Sequence, residues 1–397
     1  MQIIKNESID QIKTRIRQQT SKTIDPIVAS RVENIIATVR EKGDAALKAY
    51  AQEFDGVTLN ELKVSAAQID LAVKNVAPEV IKALEKAAAN IRSFHQLEIQ
   101  QAFEDSPRPG VIRGTKITPL SAVGIYVPGG TAAYPSSVLM NALPAKIAGV
   151  QHIIMVTPPQ KEGLNDAVLA AARIAGIDSI YQVGGAQAIA ALAYGTESIP
   201  QVDKITGPGN AYVATAKRAV YGQVAIDMIA GPSEIGILAD DSARAKDIAA
   251  DLLSQAEHDK NARAILITNS EKLAQAVSDE VNVQLSTLPR EDIARDAIDN
   301  NGFIYLVETI DDMIDLMNAV APEHLEIQLE NAYDYIDKIQ NAGSVFLGKY
   351  ASEPLGDYLA GPNHILPTGG TARFSSALGV WDFQKRIQYL SYSQDAL

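Results

Sequence analysis

The sequence predicts an α/β protein: two Rossmann-like units with parallel sheets, preceded by a helical N-terminal arm. Three observations lead there. At 397 residues the chain exceeds one ordinary core, and a prior of about 150 residues per domain gives two or three domains. After Pro119, short β-branched runs alternate with Ala-rich helical stretches, the pattern of a parallel sheet covered on both faces. That alternation runs through two successive series.

From Ile24 to Arg92 the chain reads as consecutive helices. Val32, Ile35, Ile36 and Val39 recur at three and four spacing, and an Ala-rich stretch covers Val80 to Ile91. The first strand series is Val123 to Val127, Ile153 to Thr157, Ile180 to Val183 and Lys204 to Thr206. The second is Ile235 to Leu238, Ala264 to Thr268, Phe303 to Val307 and Ser344 to Leu347, with helices such as Ala243 to Ala256 and Ile310 to Ala319 between. Joins fall near Pro119 and Asp227, and Gly231-Pro232 marks a loop. Past Gly369 the pattern thins, and the residues up to Leu397 carry no packing signal.

The composition, 47% hydrophobic and 21% charged with 26 Gly and 18 Pro, is that of a globular protein. With 48 acidic against 35 basic residues, a net charge of −13 and no Lys/Arg run to track a phosphate backbone, nucleic acid is not an expected partner. Met1 to Asp10 lacks a signal-peptide core and no 18 apolar residues run together, so a cytoplasmic location without a membrane partner is expected. There is no cysteine, which excludes disulfides, thiolate ligands and a cysteine nucleophile; any metal must be held by nitrogen and oxygen.

Three loops share one form: Val127-Pro128-Gly129-Gly130-Thr131, Val183-Gly184-Gly185-Ala186-Gln187 and Thr206-Gly207-Pro208-Gly209-Asn210. Each follows a strand and precedes a helix, where backbone N–H groups meet an anionic ligand. None is a GxGxxG fingerprint, and a lone Gly-rich loop is more often a tight turn; three in one unit weigh a phosphate crevice evenly against that turn. Ala230-Gly231-Pro232-Ser233-Glu234 offers a hydroxyl and a carboxylate to a substrate, or is a plain turn.

In Gln255-Ala256-Glu257-His258-Asp259-Lys260, Gln255 and His258 share a helix face at i, i+3, which suits two ligands of one metal as well as a helix-end cap. Pro322-Glu323-His324-Leu325-Glu326 follows a Pro that opens a helix, so Glu323 and His324 point about 100° apart and address two atoms of one substrate. A charge complementing the helix dipole accounts for Glu323 but hardly for His324. Gly356-Asp357-Tyr358 and Gly361-Pro362-Asn363-His364 place a carboxylate and an imidazole on a loop too long and polar for a simple connection. His95 and His152 are expected to be structural.

Together these motifs resemble the histidinol dehydrogenase family. The strings GPGNAYVATAKR (207 to 218), IDMIAGPSE (226 to 234), LLSQAEHD (252 to 259) and APEHLE (321 to 326) carry the resemblance, which runs from the helical arm through Val123-Gly124-Ile125-Tyr126-Val127-Pro128-Gly129-Gly130 to Phe383-Gln384-Lys385-Arg386. It implies a zinc-dependent homodimer that oxidises L-histidinol through L-histidinaldehyde to L-histidine while reducing two NAD. By motif, Tyr126, Gln187 and Asn210 match NAD-binding positions and Glu323 and His324 the catalytic pair. Gln255, His258 and Asp357 match zinc ligands, and Ser233, Gln255, His258, His324, Asp357 and His364 substrate contacts.

The implied layout is an N-terminal segment (1–25), a substrate and metal domain (26–118 with 228–370, including the arm), an NAD domain (119–227) and the start of a truncated helical tail (371–397). Family members continue into a tail with a Glu-Gly-Leu-x-x-His motif, whose Glu binds substrate and whose His completes the partner's zinc site. This sequence stops before it, so water or substrate is expected as the fourth ligand. Taking an alcohol to an acid needs two hydride transfers with water added between them. Without cysteine the aldehyde must be hydrated, with Glu323 as base for water and His324 as proton shuttle. Rival readings are a dehydrogenase of another small polar alcohol, a low-activity truncated paralog with a binding or regulatory role, and a metal-dependent hydrolase.

Overall fold

The computed structural model describes residues 1–20, 25–129, 134–177, 179–229 and 231–397. They divide into two compact units. The first holds Ile24–Ile229, Tyr358–Ile365 and Leu378–Leu397, and the second Met1–Thr23, Ala230–Asp357 and Leu366–Ala377.

The chain opens with β1 (Gln2–Ile4) and α1 (Ile9–Thr20), both in the second unit. The helical arm follows as α2 (Pro26–Tyr50), α3 (Ala66–Asn75) and α4 (Pro78–Gln96). Its starts are specified locally. Asp25 accepts from Ile27 N–H at 2.8 Å ahead of Pro26, and Ser65 and Gln68 form a reciprocal capping box. Val32, Ile35, Ile36 and Val39 are buried, as their spacing predicts.

Next come β2 (Glu104–Arg108), β3 (Val111–Pro119), β4 (Ala122–Tyr126), α5 (Pro135–Ala148), β5 (His152–Thr157), α6 (Asp166–Ala175), β6 (Ser179–Gln182), α7 (Gly185–Tyr194), β7 (Lys204–Thr206), α8 (Ala211–Val220) and β8 (Ala225–Ile226). Strands β4 to β8 form a parallel sheet in the order β6-β5-β4-β7-β8, a Rossmann-type arrangement. One core packs α3 to α6 against it, and a second packs α2, α7 and α8. The arm therefore belongs with residues 119–227, and the expected grouping of 26–118 with 228–370 is corrected. The reason is burial: the apolar face of α2 is closed by α7 and α8, that of α4 by α5, and α3 packs on α6.

The second unit continues with β9 (Glu234–Ala239), α9 (Ala245–Ala256), β10 (Arg263–Thr268), α10 (Glu271–Leu285), α11 (Glu291–Asn301), β11 (Gly302–Leu306), α12 (Ile310–Val320), β12 (His324–Gln328), β13 (Ser344–Leu347) and α13 (Glu353–Leu355), then a π-helical turn over Gly356–Ala360. Its parallel sheet runs β1-β11-β10-β9-β12-β13, the same order with β1 added at one edge. Within the expected N-terminal segment 1–25, the described residues up to Thr20 are not separate, since β1 pairs with β11 and α1 packs on α12. The loop expected around Asp357 is helical in part.

The last strand, β14 (Gln384–Tyr392), pairs antiparallel with β3 in the first unit, giving the sheet β14-β3-β2. This corrects the reading of 371–397 as the thinning start of a helical tail. β14 is almost wholly exposed, so it shows no burial pattern; backbone pairing with β3 fixes it, with Arg386 Nε donating to Gln100 at 3.0 Å and the Tyr389 hydroxyl to Glu104 at 2.8 Å. No described helix is long and apolar enough to cross a membrane.

Candidate active site

In the first unit the strand order reverses between β4 and β7, where parallel sheets open a crevice beyond their carboxyl ends. Tyr126 ends β4, and the loop Gly207–Asn210 leaves β7. The two segments touch. Gly207 has φ +111°, and a Cβ there would lie 2.1 Å from the Tyr126 carbonyl oxygen, so only glycine fits. The Tyr126 hydroxyl accepts from Gly185 N–H at 3.1 Å, and burial pushes its pKa up to about 12, which keeps it neutral. Gln187 is buried in the first turn of α7. Asn210 caps α8, its Oδ1 accepting from Tyr212 and Val213 N–H at 3.0 and 3.2 Å. All three line one cavity of about 930 Å³, together with Tyr50, Phe54 and Pro158. Gly130 and Thr131 of the first Gly-rich loop, and Ala230 of the later one, lie outside the described residues.

Behind this loop sits a buried ion pair that the sequence reading missed. Lys217 Nζ donates to the Gly207 carbonyl at 2.9 Å and pairs with Asp227, whose carboxylate also accepts from Gly207 and Met228 N–H. Lys217 stands inside the GPGNAYVATAKR string, but its spacing does not announce a partner ten residues on.

In the second unit Glu323 and His324 do not open a helix. Ala321, at φ +48°, ends α12, and after Pro322 the chain enters β12. The period is two. Leu325 and Ile327 fill the core while His324, Glu326 and Gln328 share the other face. His324 Nδ1 bonds the Glu234 carbonyl and Nε2 bonds Asp357 Oδ1, each at 3.2 Å. Glu323 accepts from Glu234 N–H at 2.9 Å and stands 3.8 Å from the His324 ring nitrogen.

Burial raises Glu323 to about 7, with the His324 charge and the Glu234 N–H working against it. Burial alone would lower His324, but Glu323 and Asp357 outweigh it and hold the imidazole up at about 10. Glu234, read from sequence as a carboxylate for substrate, is instead spent within the fold: it pairs with Arg263 at 2.9 Å and accepts from Gly369 N–H at 3.0 Å. Ser233 is half-buried just ahead of β9.

Gln255 lies in the last turn of α9, while His258, expected on the same helix face, lies two residues past its end in a turn. Gln255 is buried and its amide nitrogen has no hydrogen-bond partner among the described residues. His258 is exposed; the partial desolvation of its ring lowers its pKa, Glu257 and Asp357 oppose this, and Arg290 and His324 add to it. Among the described residues, the acid and imidazole groups whose ligand atoms all lie within 4.8 Å of one another are His324, Glu353 and Asp357, so Asp357 is the member shared with the expected triad.

Sequence reasoning missed Glu353, though it lies four residues before Asp357 and so on one helical face. Burial and the Asp357 charge raise it to about 7. A second buried acid, Glu326, is raised to about 8 by burial and by Asp251, and accepts from Gln328 Nε2 at 2.8 Å. His364 lies in the first unit beside Asn363, whose side chain donates to the Met140 carbonyl and accepts from Ile365 N–H. His95 is buried and bonds Glu98 at 2.7 Å, and His152 is exposed at the start of β5.

A twice-used Rossmann-type sheet, a cofactor-sized crevice and a buried carboxyl–imidazole pair whose carboxyl is raised to about 7 point, as a class, to an α/β enzyme working by acid–base chemistry. A family model described as histidinol dehydrogenase matches residues 17–397. The histidinol dehydrogenase of Lactiplantibacillus plantarum is 64% identical over 100% of this chain and 92% of its own length, and that of Streptococcus mutans 59% identical over 99% and 91%. The crystal structure of histidinol dehydrogenase from Elizabethkingia anophelis superimposes with a TM-score of 0.95 at 39% identity, covering 100% of this chain and 91% of that one. Lactaldehyde dehydrogenase from Escherichia coli, at TM-score 0.50 and 12% identity over 90% and 92%, shares the fold alone. The chain belongs to the histidinol dehydrogenase family and is an oxidoreductase of histidine biosynthesis.

Proposed function

We propose that the chain oxidises L-histidinol through L-histidinaldehyde to L-histidine, reducing two NAD, with zinc bound, as a cytoplasmic homodimer. The observation that carries this reading is Glu323, a buried carboxyl raised to about 7 beside His324, which is where a general base for water is most effective. In the first oxidation the carbinol loses its hydroxyl proton to the neutral form of His324 and its C–H as hydride; the Glu323 and Asp357 carboxylates that hold the imidazole pKa up favour its taking that proton. The Glu234 carbonyl fixes the ring through Nδ1, and Nε2, which bonds Asp357 Oδ1 at 3.2 Å, is the transfer atom. Glu323 then takes a proton from the water that adds to the aldehyde, and the resulting gem-diol gives up the second hydride. NAD, when bound, supplies the hydride acceptor, with Tyr126, Gln187 and Asn210 as its contacts on the first unit.

The donor types fit a zinc ion: no thiolate, the side-chain amide oxygen of the buried Gln255, an imidazole biased toward its neutral form at His258, and the Asp357 carboxylate. Zinc would supply an anchor for the substrate's imidazole and amine and polarise its oxygen. Ser233, Gln255, His258, His324, Asp357 and His364 are the proposed substrate contacts.

Glu323→Gln keeps the shape and loses the base. Steady-state histidinol oxidation should fall on the order of 10²- to 10⁴-fold while NAD and histidinol still bind. Supplied histidinaldehyde separates the steps: oxidation of the aldehyde at the parental rate removes Glu323 from this role. Zinc content after His258→Ala, measured by atomic emission, should drop well below stoichiometric, and full retention overturns the ligand set.

A further inference from the structure

We propose that Asp55 recognises the ribose diol of the cofactor's adenosine and excludes a 2′-phosphate, so that the first unit takes NAD in preference to NADP. The proposal rests on reading the 930 Å³ cavity as the dinucleotide site.

Asp55 is the last residue of the π-helical turn Ala51–Asp55 that follows α2, and Gly56, at φ +67°, turns the chain away after it. It lies on the cavity wall with Tyr126, Gln187 and Asn210. Its Oδ2 is shut off from solvent and has no hydrogen-bond partner among the described residues. Burial raises its pKa to about 6, yet at neutral pH the carboxylate is still mostly ionised, and its charge in turn helps raise Tyr126. A buried acceptor without a donor is costly. A ligand that brings O–H donors to this wall removes the cost.

The vicinal hydroxyls of a ribose can both donate to one carboxylate, whereas a 2′-phosphate brings negative charge against it. In dinucleotide folds the acid that reads this diol usually follows the second strand of the sheet. Here the second strand, β5, runs into Thr157-Pro158-Pro159-Gln160, which carries no acid. Of the carboxylates on the wall, Glu53 is exposed and Asp55 is not. Two cations are near. Arg31 on the wall donates to the Tyr212 hydroxyl at 3.0 Å, and Lys161 approaches Gly56, but neither partners Asp55 Oδ2.

The test is calorimetric titration of the full chain with NAD and with NADP, without substrate, so that binding is read apart from turnover. The parent should bind NAD and take NADP roughly a hundredfold more weakly. Asp55→Asn should weaken NAD on the order of tenfold and narrow the NAD to NADP ratio by at least as much, and Asp55→Ala should do the same through a different side chain. If both variants fold, by circular dichroism, and keep the parental ratio, the proposal is overturned. Asn210→Ala locates the fault: if it weakens NAD while the Asp55 variants do not, the cavity reading stands and Asp55 is wrong. If none of the three weakens NAD, the cavity reading falls and the proposal with it.

Discussion

The two units repeat one strand order, yet their functional residues gather at opposite edges of their sheets. In the first unit Tyr126 and Asn210 stand at the carboxyl ends of β4 and β7, where α7 and α8 begin and helix N-termini turn N–H groups outward. In the second, Ser233, Glu234, Arg263, Glu323 and His324 stand at or just before the amino ends of β9, β10 and β12. Helix C-termini arrive at this edge: α9 ends at Ala256 between Gln255 and His258, and α12 ends at Val320. The first edge suits an anionic dinucleotide. The second, with carbonyls and carboxylates converging, favours positive charge, which is why the His324 pKa is raised and why a cation would be at home beside Asp357.

Each edge is braced by a buried ion pair, and the two pairs differ in what remains when the cation is removed. Arg263→Met strands Glu234 in the interior with one backbone donor, Gly369 N–H. We expect a loss of about 3 kcal/mol in urea unfolding, within the range for a buried charge that loses its partner. A loss below about 1 kcal/mol would break the claim that this pair braces the amino edge. Lys217→Met leaves Asp227 two backbone donors, so the expected loss is smaller, about 2 kcal/mol. Because Lys217 also holds the Gly207 carbonyl, this variant should raise KM for NAD more than it lowers kcat. An unchanged KM would separate the pair from the cofactor edge.

Asn210→Ala sharpens the carboxyl-edge half of the comparison. It removes the α8 cap, about 1 kcal/mol of stability, together with a proposed cofactor contact. Asn210→Asp restores the cap acceptor but not the amide. It should therefore recover the stability and leave NAD weakly bound; recovery of both would mean that Asn210 acts through the helix alone.

The same contrast governs what was legible in the sequence. The parallel strands announce themselves as continuous apolar runs, such as Ile153 to Thr157, because both faces are covered. The carboxyl-edge loops stand out because glycine is needed where Gly207 meets Tyr126. The amino edge has no such mark. Pro322 suggested a helix start, and five residues of β12 were too few for the alternation of Leu325 and Ile327 to overrule it. Glu353, Arg263, Lys217 and Asp227 acquire roles only through partners distant in sequence or on neighbouring strands, and β14 is an exposed strand with no burial period. Spacing alone suggested Gln255 and His258 as a pair, while their assignment with Asp357 came by resemblance to a family.

The smallest expected effect concerns Asp55, and it has a definite sign. An acid whose folded pKa is raised, here from 3.8 to about 6, binds more protons folded than unfolded between those values. Stability is then greatest below the unfolded pKa and is lost as pH rises through the folded one, with the full penalty present at pH 8. In a sealed interior a shift of this size would amount to about 3 kcal/mol, but the side chain is only half-buried, and solvent screening reduces the expectation to under about 1 kcal/mol. Asp55→Asn should therefore stabilise the chain at pH 8 and not at pH 3.5, as read from urea midpoints at the two values. Stabilisation of equal size at both would mean that the carboxylate charge is not what strains this wall. With the pH-dependent gain in hand, NAD should narrow the difference at pH 8, because the bound ribose supplies to the parent the donors that the variant no longer needs.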